Sequence, residues 1–314
     1  MKKIFLYGFI VLVIVLVISK TFFSSKKTDD FNTQILIEDP SLNDFFIIPA
    51  REFIPTLQNI HEITTMEEKR KYIYTIDPTA YVKESDINLS KLLEIDLATN
   101  LSGREPRILI FHTHSQEFFI DSIEDNPNES IVAVGRHLAN IFALRYGVSV
   151  VHDIGIYDMV DGELRRAGSY EVMEPAVSKI LEKYPSIEIM IDLHRDGVPD
   201  DMHLVTEING KPTAQLMFFN GITRLNKDGN PVELPELQNP YLTENLAFSL
   251  RAFLTANELY EGLMRNIYVK PYRYSLHLRP KSLLVEVGAN TNTLEEAMNA
   301  MQPLARIIME VLNP

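Results

Sequence analysis

The sequence predicts an α/β fold with a mostly parallel or mixed sheet and helices on both faces, preceded by one N-terminal transmembrane helix. Two observations support this prediction. From Arg107 onwards, short β-rich runs are separated by segments with helical periodicity, an alternation typical of α/β domains. Near the start, residues 4–19 are apolar and uncharged, which with the apolar residues at 21–23 is about one bilayer crossing.

The individual elements follow from local patterns. Runs rich in β-branched and apolar residues predict strands at Ile108–Phe111, Ser149–His152, Ile187–Leu193, Leu216–Asn220, Ile267–Lys270 and Leu283–Val287. Apolar residues recurring at three and four positions predict helices at Ser130–Tyr146, Glu174–Tyr184, Glu244–Tyr260 and Leu294–Leu312.

Four segments are expected along the chain. Residues 1–23 are predicted to be an uncleaved anchor, because no small-residue cleavage site follows the apolar run. Residues 24–36 are polar and predict a flexible stalk, 37–104 an N-terminal region or small subdomain, and 105–314 the main α/β domain. A leading anchor predicts a single-pass protein of the cell membrane with its main domain outside the cytoplasm.

Composition excludes several classes of protein. The 314 residues contain no cysteine, which excludes disulfides, thiolate metal ligands and cysteine nucleophiles. The net charge of -13 disfavours nucleic acid as a partner. No G-x-S-x-G elbow follows a strand, which disfavours a serine hydrolase.

Polar residues at three predicted strand ends indicate where chemistry occurs, because ligands of open α/β sheets bind outside the carboxyl ends of the strands. His114 and Glu117 follow the strand that ends at Phe111, His194 follows the run ending at Leu193, and Glu286 lies within the last strand. A catalytic zinc takes three His, Asp or Glu ligands and works beside a further carboxylate. We therefore predict a Zn²⁺ site with His114, Glu117 and His194 as ligands and Glu286 as the catalytic base.

Alternatives remain open for two positions of this site. His112 competes with His114 as the ligand, because strand alternation puts both on the same face. His114 is preferred because Glu117 lies three residues further on, and His112, Arg195 and Asp196 are then expected to contact substrate or support the ligands. Glu129 is an alternative ligand, although an acid just before a helix usually stabilises the helix dipole. A two-carboxylate glycosidase would leave the paired histidines unexplained.

Four segments carry a resemblance to a known family. They are ILIFHTHSQEFF at 108–119, SIVAVGRHLANIFALRYGVSVVHD at 130–153, IMIDLHRDGV at 189–198 and SLLVEVGANTNTLEEA at 282–297. In their order and their H-T-H, H-R-D and E-V-G-x-N-T elements they resemble the stage II sporulation protein P family of endospore-forming bacteria.

The resemblance implies a cell-wall hydrolase similar to zinc N-acetylmuramoyl-L-alanine amidases, with a fold like those amidases and zinc carboxypeptidases. Its substrate would be peptidoglycan, from which it would remove stem peptides, and an endopeptidase activity on cross-links is also implied. The setting implied is septal peptidoglycan degradation at the sporulation septum during engulfment. The implied partners are a lytic transglycosylase and a polytopic membrane protein.

Two rival functions are compatible with the same residues. H-x-x-E with a distant His and Glu also resembles the arrangement of zinc carboxypeptidases, which predicts a metallocarboxypeptidase or endopeptidase. A catalytically silent septal scaffold that binds the wall would need neither zinc nor Glu286. Product analysis separates the first rival from an amidase, and zinc stoichiometry separates the second.

Overall fold

A computed structural model of the chain describes residues 53–123 and 126–313. In chain order its strands are β1 (Tyr74–Ile76), β2 (Ile108–Phe111), β3 (Val150–His152), β4 (Met159–Val160), β5 (Glu163–Leu164), β6 (Ile189–Asp196), β7 (Val205–Ile208), β8 (Lys211–Ala214), β9 (Leu216–Gly221), β10 (Arg224–Lys227), β11 (Asn230–Glu233), β12 (Ile267–Lys270) and β13 (Ser282–Ala289). Its α-helices are α1 (Met66–Tyr72), α2 (Leu89–Glu94), α3 (Ile131–Tyr146), α4 (Ser169–Lys183), α5 (Leu242–Leu259) and α6 (Leu294–Leu312). Two short 3-10 turns lie at Ile60–Glu62 and Pro235–Leu237.

Seven strands form the central sheet in the order β1-β12-β9-β13-β6-β2-β3. Five of the six neighbouring pairs are parallel, and β9 and β13 are antiparallel. The predicted mostly parallel or mixed sheet is therefore confirmed. The strand direction reverses once, between β9 and β13, so that β13, β6, β2 and β3 share one carboxyl edge.

Helices cover both faces of the sheet, as predicted. On one face, buried residues of α3, α5 and α6 join Ile108 and Ile110 of β2 in a single apolar cluster. On the other face, α4 packs Met173, Val177 and Leu181 against the alternate residues of β2 and β6. Burying each such side chain contributes about 1.5–3 kcal/mol. The two clusters together fix β2 and β6 at the centre of the fold.

The predicted strands and helices are present, and the largest shift is at the start of α4. This helix begins at Ser169 rather than Glu174, after Gly168 in the left-handed conformation (φ 88°), and it contains Pro175. Proline usually occurs in the first turn of a helix, because it lacks the backbone N–H that residues of later turns donate to the preceding turn. The sequence pattern therefore placed the helix start too late.

Three antiparallel hairpins were not predicted: β4–β5, β7–β8 and β10–β11. Each turns on a two-residue loop of Asp-Gly or Asn-Gly, at positions 161–162, 209–210 and 228–229, with positive φ at both residues. Such loops are the strongest short-range hairpin signal. The strands on either side of these loops are short and largely polar, so a search for apolar runs does not find the hairpins.

The structure contradicts the predicted localisation in the cell membrane. No helix within residues 53–123 and 126–313 combines the length and the apolar character needed to cross a bilayer. The predicted anchor at 1–23 and stalk at 24–36 lie outside the described residues. Of the N-terminal region predicted at 37–104, the described part contributes β1, which pairs in parallel with β12 at the edge of the sheet.

Candidate active site

Three neighbouring strands bring the predicted site residues to the carboxyl edge of the sheet. His194 lies in β6 and is paired in register with Glu286 of β13. His114 follows β2, the neighbour of β6 on its other side. Leu193, which precedes His194, and Val285 and Val287, which flank Glu286, pack in the apolar cluster with α3, α5 and α6. Because side chains alternate along a strand, His194 and Glu286 share the opposite face, which α4 covers.

The predicted ligands His114, Glu117 and His194 converge there. His114 Nδ1 lies 3.5 Å from Glu117 Oε1, and His194 Nδ1 lies 3.5 Å from Glu117 Oε2. One donor atom from each residue lies within 4.8 Å of the other two. Among residues 53–123 and 126–313, this is the one group of three such side chains that could hold a metal ion.

Each histidine is oriented by a hydrogen bond on the ring nitrogen that faces away from Glu117. His194 Nε2 lies 2.8 Å from Asp192 Oδ1, and His114 Nε2 lies 3.0 Å from Ser169 Oγ. Metal-binding histidines in proteins are typically held in this way, with the far nitrogen bound to a carboxylate or another polar group. Both Nδ1 atoms are consequently turned toward Glu117.

The cluster fits a zinc ion by geometry and donor chemistry. Zn–N and Zn–O bonds of about 2.1 Å in a tetrahedron separate neighbouring donors by about 3.4 Å. Each histidine nitrogen lies 3.5 Å from a different oxygen of Glu117, which is close to this spacing. Two imidazoles and one carboxylate are also the ligand set of several catalytic zinc sites.

Mutual attraction dominates the electrostatics of these buried groups. Burial raises the pKa of Glu117, but His194 and His114 outweigh burial and hold it well below its ordinary value. Burial lowers the pKa of His194, but Asp192 and Glu117 outweigh burial and hold it well above its ordinary value. The carboxylates of Glu117 and Asp192 thus favour a positive charge beside them.

Glu286 lies beside the cluster, paired in register with His194. Its Oε2 atom is shielded from solvent and has no hydrogen-bond partner. Burial raises the pKa of Glu286 to about 8; the carboxylates of Glu117 and Asp196 also raise it, and His194 opposes them. A buried carboxylate oxygen without a partner is costly to leave unsatisfied. The hydrogen-bonding capacity of Oε2 is therefore unused within the protein.

The structure separates the two histidines of the H-T-H segment, which alternation had put on one face. His112 is fully buried, with its Nδ1 2.8 Å from the Leu193 carbonyl and its Nε2 3.0 Å from His152 Nε2. Burial and His152 lower its pKa to about 3. The backbone turns after Phe111, where β2 ends, so His114 is redirected toward α4 and His112 stays under α3.

Arg195 and Asp196 lie beside the cluster but are bound to other protein groups. The Arg195 backbone N–H donates to Glu117 Oε2 at 2.8 Å, and its Nε donates to the Phe118 carbonyl at 2.9 Å. Asp196 Oδ2 accepts from Arg265 Nη1 at 2.8 Å. Arg195 thereby fixes the position of Glu117.

Glu129 is placed outside the cluster. Its carboxylate accepts from the Ile123 backbone N–H at 2.7 Å and from Asn126 Nδ2 at 2.8 Å. These bonds hold the loop before α3, whose N-cap is Ser130. The structure therefore gives the Glu129 carboxylate a role in the loop.

Sequence reasoning missed several contributors to the site, among them Asp192 and Arg166. Asp192 accepts from the Thr113 backbone N–H at 3.0 Å and from Thr113 Oγ1 at 2.8 Å, besides its bond to His194. Its position two residues before His194 in a strand puts both on one face, a signal that the sequence carries. Arg166 donates to Glu117 Oε1 at 2.7 Å from a remote loop, and no local pattern indicates it.

The fold and site define an α/β protein with a candidate metal centre at the carboxyl edge of a mixed sheet. The chain belongs to the family Stage II sporulation protein P (SpoIIP), whose model matches residues 26–309. The resemblance seen in the four sequence segments is thus confirmed.

Individual relatives are distant. Stage II sporulation protein P of Bacillus subtilis (strain 168) is 21% identical over 295 residues, which are 90% of this chain and 66% of the relative. The catalytic domain of CwlV, an N-acetylmuramoyl-L-alanine amidase from Bacillus (Paenibacillus) polymyxa var. colistinus, matches with a TM-score of 0.39 and 11% identity over 65% of this chain and 97% of that chain. The CwlD amidase of Clostridioides difficile, solved in complex with the GerS lipoprotein, matches with a TM-score of 0.39 and 12% identity over 65% and 98%.

Proposed function

We propose that the chain is a zinc-dependent peptidoglycan hydrolase of sporulation, acting as an N-acetylmuramoyl-L-alanine amidase. Membership of the SpoIIP family supports sporulation as the setting. The observation that carries the chemistry is the convergence of His114, Glu117 and His194 beside the unpartnered Oε2 of Glu286. Three ligands with a free carboxylate next to them are the arrangement of hydrolytic zinc enzymes.

His114, Glu117 and His194 would hold the ion. When bound, zinc would act as a Lewis acid toward the amide carbonyl and lower the pKa of water to about 7. Asp192 and Ser169 keep the Nδ1 atoms of His194 and His114 directed at Glu117. Because the ligands are already oriented, no free energy is needed to reorganise them during the reaction.

Glu286 would carry the proton. Its Oε2 accepts a proton from the attacking water and returns it to the nitrogen of the leaving L-alanine as the amide bond breaks. Asp192 cannot replace Glu286, since both oxygens of Asp192 already accept hydrogen bonds.

Digestion of purified peptidoglycan by the zinc-loaded full-length chain tests the proposal, with products identified by mass spectrometry. We expect stem peptides with a free L-alanine amino terminus. Glu286→Gln should lower kcat by about 10²-fold or more while zinc stoichiometry is retained. Glu129→Gln is the matched control and should cut at a rate close to wild type, because Glu129 lies outside the cluster.

The products also decide between the rival functions. Release of cross-link fragments or single amino acids in place of intact stem peptides would favour an endopeptidase or carboxypeptidase. A protein that binds peptidoglycan, contains no zinc and is indifferent to Glu286→Gln would be a scaffold. The lytic transglycosylase and the polytopic membrane protein implied as partners are proposals that co-purification with the full-length chain would test.

A further inference from the structure

A cleft opens beside the candidate metal cluster, between the start of α4 and residues 272–274. It has a volume of ≈ 550 Å³ and is rich in tyrosine. We name it the tyrosine cleft, and its main lining residues are Arg166, Tyr170, Glu174, Tyr272, Arg273 and Tyr274.

Two contacts join the tyrosine cleft directly to the proposed ligands. Arg166 reaches from the cleft to Glu117 Oε1 at 2.7 Å. The Tyr170 ring lies 5.8 Å from the His114 ring, centroid to centroid, and 5.4 Å from the Tyr274 ring. A substrate whose scissile bond lies at the cluster would therefore extend into the cleft.

Tyr272 presents its ring to solvent at the rim of the cleft. Its side chain is 47% exposed, and no other aromatic residue of 53–123 and 126–313 reaches this degree of exposure. Tyrosine is enriched at binding surfaces, because its ring offers apolar contact and its hydroxyl can form hydrogen bonds. Its centroid lies 6.4 Å from that of Tyr274, so the two rings form one continuous wall.

The backbone holds this wall in a strained conformation. Tyr274 has φ of 52°, a left-handed conformation that is unusual for a bulky residue and often associated with functional sites. Residues 272–273 also pack directly on β9 at Gly221, where a Cβ atom would lie 1.7 Å from the Tyr272 carbonyl oxygen. The segment is thus fixed in place by glycine at 221.

The positive and negative side chains that line the tyrosine cleft are equal in number. Its lining contains two arginines and two glutamates, and Arg273 pairs with Glu174 at 2.9 Å. Such a surface suits an uncharged polar ligand better than an acidic peptide. The weakly positive C–H face of a pyranose ring packs well on the negative face of an aromatic ring, and side chains at the rim can bind its hydroxyl and acetamido groups.

We propose that the tyrosine cleft is the sugar subsite, which binds N-acetylated sugar rings of the glycan strand with Tyr272 as the stacking surface. The proposal rests on the proposed function for the identity of the polymer. The stem peptide would then leave on the side of the cluster away from the cleft. Tyr272 acts in binding and takes no part in proton transfer.

Binding of an N-acetylglucosamine tetrasaccharide to the full-length chain, measured by calorimetry, tests the proposal. Tyr272→Ala should weaken binding about tenfold, whereas Tyr272→Phe should retain it because the ring remains. Leu144→Ala is the control, since Leu144 is 87% exposed and outside the cleft, and it should bind as wild type. A free stem peptide without sugar should bind equally to wild type and Tyr272→Ala.

The outcomes separate this proposal from the hydrolytic one, because binding is measured without cleavage. Loss of sugar binding in Tyr272→Ala supports the sugar subsite even if peptidoglycan is not cut. Absence of tetrasaccharide binding by wild type overturns it, as does equal binding by Tyr272→Ala. A Tyr272→Ala defect confined to the stem peptide also overturns it and assigns the cleft to the peptide.

Discussion

Asp192 supports the candidate metal centre from behind His194. It is 1% exposed, and its two oxygens bind Thr113 and His194, so it joins the segment that carries His114 to the strand that carries His194. Burying a carboxylate is costly unless its oxygens are satisfied, and here each accepts a hydrogen bond. Asp192 therefore acts as a positioning residue for two proposed ligands at once.

Asp192→Asn should weaken zinc binding about 10- to 100-fold, because the amide loses the negative charge that orients and polarises His194. Competition with a chelator of known affinity measures this directly. Asp86→Asn is a suitable control, since Asp86 pairs with Arg224 away from the site, and it should bind zinc as wild type. Equal affinities for wild type and Asp192→Asn would contradict the positioning role.

The lowered pKa of the Asp77 carboxyl predicts that the stability of the fold depends on pH. Burial opposes its ionisation, but hydrogen bonds from Thr79, Lys270 and Tyr268 outweigh burial and lower its pKa to about 2. A folded-state pKa below the ordinary value of about 3.9 stabilises the fold above that value, and the contribution is lost as pH falls toward 2. Asp77→Asn should therefore be less stable than wild type at pH 7, and the difference should shrink below about pH 4. Urea unfolding across this range would detect it, and a constant difference would contradict it.

At the scale of elements, α3 approaches β2 closely because residue 135 is glycine. A Cβ atom there would lie 2.5 Å from the His112 ring and 2.9 Å from His152 Nε2. The His112 ring cannot easily move, since it is fully buried and bonded to the Leu193 carbonyl. Helix and sheet therefore meet without room for a methyl group.

Gly135→Ala should lower the free energy of unfolding by about 1–3 kcal/mol through overpacking. Gly197→Ala is the matched control, because no atom lies within 4 Å of the added Cβ and its φ is not left-handed. Urea denaturation of both variants compares them. A Gly135→Ala protein as stable as Gly197→Ala would show that α3 can move away from β2.

The elements differ in how well the sequence predicts them. Ile108–Phe111 and Leu294–Leu312 are predicted to the residue, because each is a continuous or strictly periodic apolar pattern. The strand Asn230–Glu233 is exposed throughout, so no core contact leaves a hydrophobic trace in its sequence. Its Asp228-Gly229 turn is the signal that identifies it.

At the scale of the whole molecule, metal binding should stabilise the fold, because the proposed ligands come from separate parts of the chain. Zinc at about 100 times its Kd should add about 2.7 kcal/mol, seen as a rise in Tm that a chelator reverses. His114→Ala and Glu117→Ala should abolish the rise, whereas Glu286→Gln should retain it. A rise that persists in His114→Ala would place the ion elsewhere.

The sequence predicts the proposed ligands better than it predicts their environment. His114, Glu117 and His194 stand out because strand ends are visible in the sequence. The contact between Arg166 and Glu117 spans 49 positions and depends on how the loop before α4 folds. The separation of His112 from His114 depends on where β2 ends. Such features arise from tertiary structure, which local patterns do not encode.

Strand β13 is the last strand within residues 53–123 and 126–313 and also the central strand of the sheet, between β9 and β6. During synthesis, both halves of the sheet leave the ribosome before the strand that joins them. Each half then exposes an unpaired edge, and the contacts that close the sheet are long in sequence, which slows folding. Because Glu286 lies on that same strand, a nascent or C-terminally truncated chain lacks the proposed base as well as the centre of its sheet.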